Sequence, residues 1–77
     1  MVAAYVLVSV EPGQNESVVS ALRKLPDVKQ AHPCWGKPDI FAYVEVDSDT
    51  ALAQTVLTHI QGIVGVRDTE THIVVPL

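Results

Sequence analysis

Gly36 and Asp39 stand three residues apart in the turn Gly36-Lys37-Pro38-Asp39, and a second polar set follows in Gly65-Val66-Arg67-Asp68-Thr69-Glu70-Thr71. A turn that joins a glycine to a carboxylate presents backbone N–H groups and a negative charge together. That combination suits a small zwitterion, which carries one group of each sign. Trp35, immediately before the turn, can wall a small-molecule pocket or cover an oligomer contact. Each of these residues also has a plainer explanation. Hairpin turns use glycine for positive φ, and Asp is a common turn residue. Thr69 and Thr71, two apart on one strand face, are ordinary β-formers.

Other reactive side chains point less clearly to chemistry. His32 and Cys34 are two apart and would share a face of a regular strand, as a thiolate–imidazole pair or half of a metal site. A metal needs three or four ligands, and the remaining strong candidates, His59 and His72, are distant in sequence. A small hydrophobic Cys beside a surface His is the simpler reading. Asp47 and Asp49 read as helix-start acids and His59 as a residue near a helix C-terminus. No Ser-His-Asp spacing, P-loop or nucleophile elbow is present, and no catalytic residue, metal site or cofactor is expected.

The elements that position these residues follow from periodicity and punctuation. Val2–Val10 is a strand ended by Glu11-Pro12-Gly13. A helix from about Gln14 to Lys24 carries Val18, Ala21, Leu22 and Leu25 as its stripe, with Glu16 in its first turn and Arg23 and Lys24 in its last. Pro26 stops it. Val28–Trp35 is a weaker strand, placed at a sheet edge by Pro33, which cannot donate a ladder hydrogen bond. Ile40–Val46 is a third strand. Ser48 is the expected N-cap of a second helix running to about Ile60, with Ala53, Val56, Leu57 and Ile60 as its stripe. Val66–Val75 is the fourth strand.

The order β-α-β-β-α-β predicts a ferredoxin-like α+β sandwich in a single domain, residues 1–77. Right-handed crossovers are expected to set the first and third strands side by side and parallel at the centre, with the second and fourth at the edges. Both helices then lie on one face. Along the first strand Ala4, Val6, Val8 and Val10 point one way and Ala3, Tyr5 and Leu7 the other. In the third, Ile40, Ala42, Val44 and Val46 oppose Phe41 and Tyr43. A sheet with one wet face alternates apolar with polar, and these two strands do not.

Composition leads to the same place. A chain of this length buries only about 60–65% of the surface its unfolded form exposes, yet 48% of its residues are hydrophobic and the mean hydropathy is +0.26. Cys34 is the only cysteine, which excludes an internal disulfide and argues against a structural zinc. Oligomerisation is the stabiliser left, and a homodimer packed sheet against sheet is expected. With five Lys or Arg and a formal charge of −4, direct nucleic-acid binding is not expected. The apolar run Val2–Val10 is too short to span a bilayer, so no membrane contact is expected and the chain reads as cytoplasmic.

The register of Gly36-x-x-Asp39 after a strand with Gly65-Val66-x-x-Thr69-x-Thr71 after the second helix resembles the effector-binding (RAM) domain of the Lrp/AsnC transcriptional regulators, over nearly the whole chain. The resemblance implies the βαββαβ fold of a dimeric α+β barrel, dimers joined through sheet faces and commonly closed into a ring, and amino-acid effectors at dimer–dimer contacts. It implies that Gly36 offers close backbone approach and Asp39 anchors the ligand ammonium. Thr69 and Thr71 would supply hydroxyls or backbone groups from a neighbouring dimer, with His72 beside them. Trp35 stands where the family usually has a small hydroxyl residue and Pro38 where an aromatic or aliphatic is common. Family regulators carry an N-terminal helix-turn-helix; this sequence begins at the first effector-domain strand and so is similar to stand-alone versions. The implied function is non-enzymatic amino-acid sensing and oligomerisation. Two alternatives are a module forming mixed oligomers with full-length family regulators and a small dimeric α+β barrel enzyme. The latter would depend on Tyr5, Tyr43 and Ser9 as the polar residues of the central strands.

Overall fold

The computed structural model describes residues 1–77. Its elements are β1 (Val2–Val10), α1 (Asn15–Arg23), β2 (Val28–Pro33), β3 (Ile40–Val46), α2 (Asp49–Gln54) continued by a π-helical stretch Thr55–Ile60, and β4 (Val66–Ile73). The sheet order is β2-β3-β1-β4, the ferredoxin-like arrangement, with β1 and β3 central and the Pro33-bearing strand at an edge.

One part of the expected topology is corrected. β1 and β3 pair antiparallel, Val2 opposite Val46 through Val8 opposite Ile40, and the other two pairings are antiparallel as well. The crossover through α1 relates β1 to β2, not to β3. It leaves a gap one strand wide between them, and β3, returning from β2 by a short loop, fills that gap in the opposite direction.

The core lies between the sheet and the helices. Ala4, Val6, Val8 and Val10 from β1 and Ile40, Ala42, Val44 and Val46 from β3 are buried in one cluster with Val18, Val19 and Leu22 of α1 and with Leu52, Val56 and Ile60. Burying a Val or Leu side chain is worth about 1.5–3 kcal/mol, so this one layer supplies most of the favourable term. In α1 the stripe is rotated slightly, with Val19 buried and Ala21 and Leu25 only half-buried.

The second helix begins where its cap predicts, the Ser48 hydroxyl accepting from the Ala51 N–H at 3.1 Å. Its inner face differs from the expected stripe. Leu52, Thr55, Val56 and Ile60 are buried, while Ala53 is exposed and Leu57 is 64% exposed. Leu52, Thr55, Val56 and Ile60 fall at i, i+3, i+4 and i+8, a single helix face. The Gln61 N–H donates to the Val56 carbonyl at 2.9 Å, five residues back. Thr55, the one buried polar residue, donates its hydroxyl to Asp27 Oδ2 at 2.9 Å, which ties the helix to the turn before β2.

The other face of the sheet carries no helix. Tyr5 lies opposite Tyr43 and Leu7 opposite Phe41. The two tyrosine rings are 5.1 Å apart and tilted by 53°, within the favoured range for aromatic pairs. Tyr5 is 49% and Phe41 40% exposed. The edges of this face are polar: Gln30 and His32 flank β3, and Asp68, Glu70 and His72 flank β1. Desolvation and then the Glu45 carboxylate push the Tyr43 hydroxyl above its ordinary value.

Candidate functional site

The loop Cys34–Asp39 leaves β2 and returns into β3 through a closed neck, the Cys34 N–H donating to the Asp39 carbonyl at 2.8 Å. Gly36 sits at φ +98°, a conformation that side chains with a Cβ rarely adopt, and nothing crowds it. Its conformation, not a close approach within the chain, therefore selects glycine. The Lys37–Pro38 peptide bond is cis.

Asp39 clamps this loop to the end of β1. Its N–H donates to the Val8 carbonyl at 3.1 Å, extending the β1–β3 ladder beyond Ile40. Its Oδ2 accepts the Val10 N–H at 2.9 Å. The β1–β3 pairing ends at Val8 and Ile40, and the carboxylate satisfies the next backbone donor on that side of β1. One oxygen of Asp39 is thus committed to architecture.

The other expected site residues are distributed as the sheet register dictates. Thr69 lies opposite Val8 and Thr71 opposite Val6, on the helix side of edge strand β4, and Thr69 Oγ1 accepts from Gln61 Nε2 at 2.8 Å. His72 lies opposite Tyr5, on the open face, where its Nε2 pairs with the Glu70 carboxylate. Trp35 is fully exposed. Within one chain Trp35, Thr71 and His72 therefore do not converge on the Gly36–Asp39 loop. The Cys34 thiol contacts the His32 carbonyl at 3.7 Å and not its ring, so no thiolate–imidazole pair forms.

What the fold brings together is the overhang of that loop and the start of β4. Lys37 and Pro38 reach over the end of β1 to Asp68, Thr69 and Glu70, enclosing a cleft of about 270 Å³ floored by Leu7 and Ser9. Around the corner a second cleft of about 260 Å³ includes Lys37, Asp39, Glu11 and Arg67. Lys37, Asp68 and Glu70 were hidden in the variable positions of the two sequence motifs; their charge was the available signal. The widest concavity, about 720 Å³, is an open trough along the flank of α1 beside Pro33, remote from both motifs. Arg23, on its wall, spends its Nε on the Ala31 carbonyl at 3.0 Å. No three His, Cys, Asp or Glu side chains gather to hold a metal ion, and no helix is long and apolar enough to cross a membrane.

Comparison with known proteins gives these features a context. Residues 3–76 match the model of the Lrp/AsnC ligand binding domain. An HTH-type transcriptional regulator of Pyrococcus abyssi is 35% identical over 72 residues, 94% of this chain and 46% of that protein. The structure of Escherichia coli AsnC superposes with a TM-score of 0.92 at 27% identity, over 99% of this chain and 52% of that one. A transcriptional regulator of Neisseria meningitidis in complex with L-Met superposes with a TM-score of 0.89 at 22% identity, over 97% of this chain and 50% of that one; at that identity the likeness is one of fold. The chain thus spans about half the length of these regulators. With both motifs in register and the family match covering nearly every residue, this chain belongs to the Lrp/AsnC ligand-binding domain family.

Proposed function

We propose that this chain is a non-enzymatic amino-acid sensor that works as an oligomer and belongs to the control of transcription. The observation that carries the reading is the cleft beneath the Lys37–Pro38 overhang, which sets opposite charges around a space of about 270 Å³. That is slightly below the roughly 300–1,000 Å³ typical of drug-sized pockets, and it suits one small metabolite. The L-Met complex of the Neisseria regulator supports an amino acid as the class. Gly36 gives the loop its turn and Asp39 holds it in place. Thr69 lines the cleft, while Trp35, Thr71 and His72 reach a ligand only from a neighbouring subunit.

Assembly follows from the uncovered face. Tyr5, Phe41 and Tyr43 form an apolar centre with polar edges, the pattern of an interface core and rim. A second copy placed sheet to sheet covers it, and further dimers meet through the edges, as in a ring. A full-length family regulator presents the same fold, so a mixed oligomer is the second reading. With a formal charge of −4, this domain would modulate a DNA-binding partner without touching DNA.

Native mass spectrometry with and without a panel of the common amino acids, paired with thermal unfolding, tests both parts. Even-numbered assemblies are expected, and a ligand at 100 times its Kd should add about 2.7 kcal/mol of stability. A strictly monomeric chain that no amino acid stabilises would sink the proposal.

A further inference from the structure

We infer that His32 of one copy and Glu70 of a second form a reciprocal pair across the uncovered sheet face, and that protonation of His32 tightens this contact. This rests on the sheet-to-sheet assembly read above and adds its orientation and its control. The strand register sets the open face in rows across the sheet. One row runs His32, Phe41, Leu7, Glu70, and the next runs Gln30, Tyr43, Tyr5, His72. Charge along these rows is one-sided. The β4 end carries Glu70 opposite Leu7 and, beyond it, Asp68 opposite Ser9, whereas β2 contains no acidic residue.

Two copies related by a two-fold axis can meet in two ways. An axis across the strands stacks β4 on β4 and gathers the carboxylates of both copies at one edge. An axis along the strands stacks β2 on β4, so that each row faces its own reverse. His32 then meets Glu70 of the second copy, Phe41 meets its Leu7 and Tyr43 its Tyr5, and each contact is made twice. Like charges set against each other cost free energy and opposite charges lower it, which selects the second arrangement. Packed sheets lie about 10 Å apart, a gap that an imidazole and a glutamate side chain span together.

Within its own chain His32 has no charged partner. Phe41 lies opposite it on β3, and the single ion pair is that of His72 with Glu70. Behind β2, α1 brings Arg23, bound to the Ala31 carbonyl, and Lys24 beside Pro33. Along the strand Lys29 donates to the Pro26 carbonyl and shares a hollow with Asp27, Glu45 and Asp47. At the β4 end Lys37 overhangs Asp68 and Glu70, and Glu11 and Arg67 lie around the corner. Glu70 engages His72 through Oε2, and a carboxylate has a second oxygen to offer. Imidazole takes its proton near pH ~6.5, and a facing carboxylate favours the protonated form. Association therefore strengthens as pH falls through that range and weakens as it rises.

Sedimentation equilibrium of the full chain at low salt, between about pH 8.5 and pH 6, tests this. The dimer Kd is expected to fall about tenfold as the pH is lowered. His32→Lys, a fixed cation, should associate at the upper pH as tightly as the parent does at the lower, with little pH dependence left. His32→Glu should weaken the dimer about tenfold or more at neutral pH, and Glu70→Lys added to it should restore association. Circular dichroism should show the parent fold throughout, because both side chains are exposed. A parent Kd that is flat or rises as pH falls overturns the inference and leaves the assembly reading standing. So does parent-like pH dependence in His32→Lys, or a His32→Glu defect that is absent or that Glu70→Lys does not relieve. Should the doubly substituted chain fail to fold, the parent and His32→Lys pH series decide alone. A parent chain that is monomeric at every pH overturns the assembly reading and this pairing together.

Discussion

Val6 and Leu7 are neighbours on one strand, yet they belong to two different molecular surfaces. Val6 is fully buried against the helices, while Leu7 lies half-buried on the open face opposite Phe41. The two faces of this sheet are both apolar at the centre, but only one is closed within the chain. The closed face carries the stability of the monomer. Beyond the Tyr5–Tyr43 contact, the open face adds little to that until another molecule covers it. A 77-residue domain can in this way link its stability to assembly, and a ligand that favours assembly gains leverage over both.

The contrast is broken most severely by placing the same charge on each side. Val6→Asp buries a carboxylate with no partner, costing several kcal/mol against a typical domain stability of about 5–15 kcal/mol. Circular dichroism should show a chain that does not fold. Phe41→Asp puts the charge on the open face. It should leave the folded circular dichroism spectrum intact while weakening self-association by about a hundredfold or more, roughly 2.7 kcal/mol, as read by sedimentation equilibrium. If Phe41→Asp unfolds the chain instead, the two faces do not divide the labour as argued.

Asp39→Ala sharpens the comparison at the end of the sheet, where the faces meet the loop. It strands the Val10 N–H and should cost about 1–3 kcal/mol, measured by urea unfolding, with Asp39→Asn retaining most of the stability because its amide oxygen still accepts. A cost below the uncertainty of the fit would mean that the carboxylate does not hold the loop.

The smallest effect lies at Tyr43. Its folded-state pKa is raised, by desolvation first and Glu45 second, so the folded chain retains this proton where the unfolded chain has lost it. The corresponding stability is present below the unfolded phenolic value of about 10 and falls as pH rises beyond it. Tyr43→Phe should flatten the decline in stability between pH 9 and 11, on the order of one phenol's titration. An unchanged slope would show that Tyr43 is not the group responsible.

Much of the architecture was legible in residue order. β3 spans Ile40–Val46 as its alternation predicts, Ser48 caps the second helix, and Pro33 ends an edge strand. Each of these depends on local stereochemistry. The direction of β3 relative to β1 was misread because it depends on which pair of strands the crossover joins, a relation between distant segments. The inner face of the second helix was misread because the expected stripe Ala53, Val56, Leu57 and Ile60 and the observed Leu52, Thr55, Val56 and Ile60 both fit a helical period, and only packing against the sheet selects between them. At the site, Gly36 was legible as a turn residue. Asp39's bond to Val10 was not, because nothing local says that a turn will reach a strand 29 residues earlier.

The sequence by itself determined the element order, the edge position of β2 and the presence of two apolar sheet faces, since each follows from periodicity, proline and chain length. It also determined that a glycine and a carboxylate occupy the β2–β3 turn. Only the tertiary structure decided how that turn is used. Antiparallel pairing of β1 with β3 and β4 carries Lys37 toward Asp68 and sends Thr69 and His72 to opposite faces. The physical reason is register: side chains alternate every residue along a strand, so the grouping of charges around a cleft depends on pairing between strands.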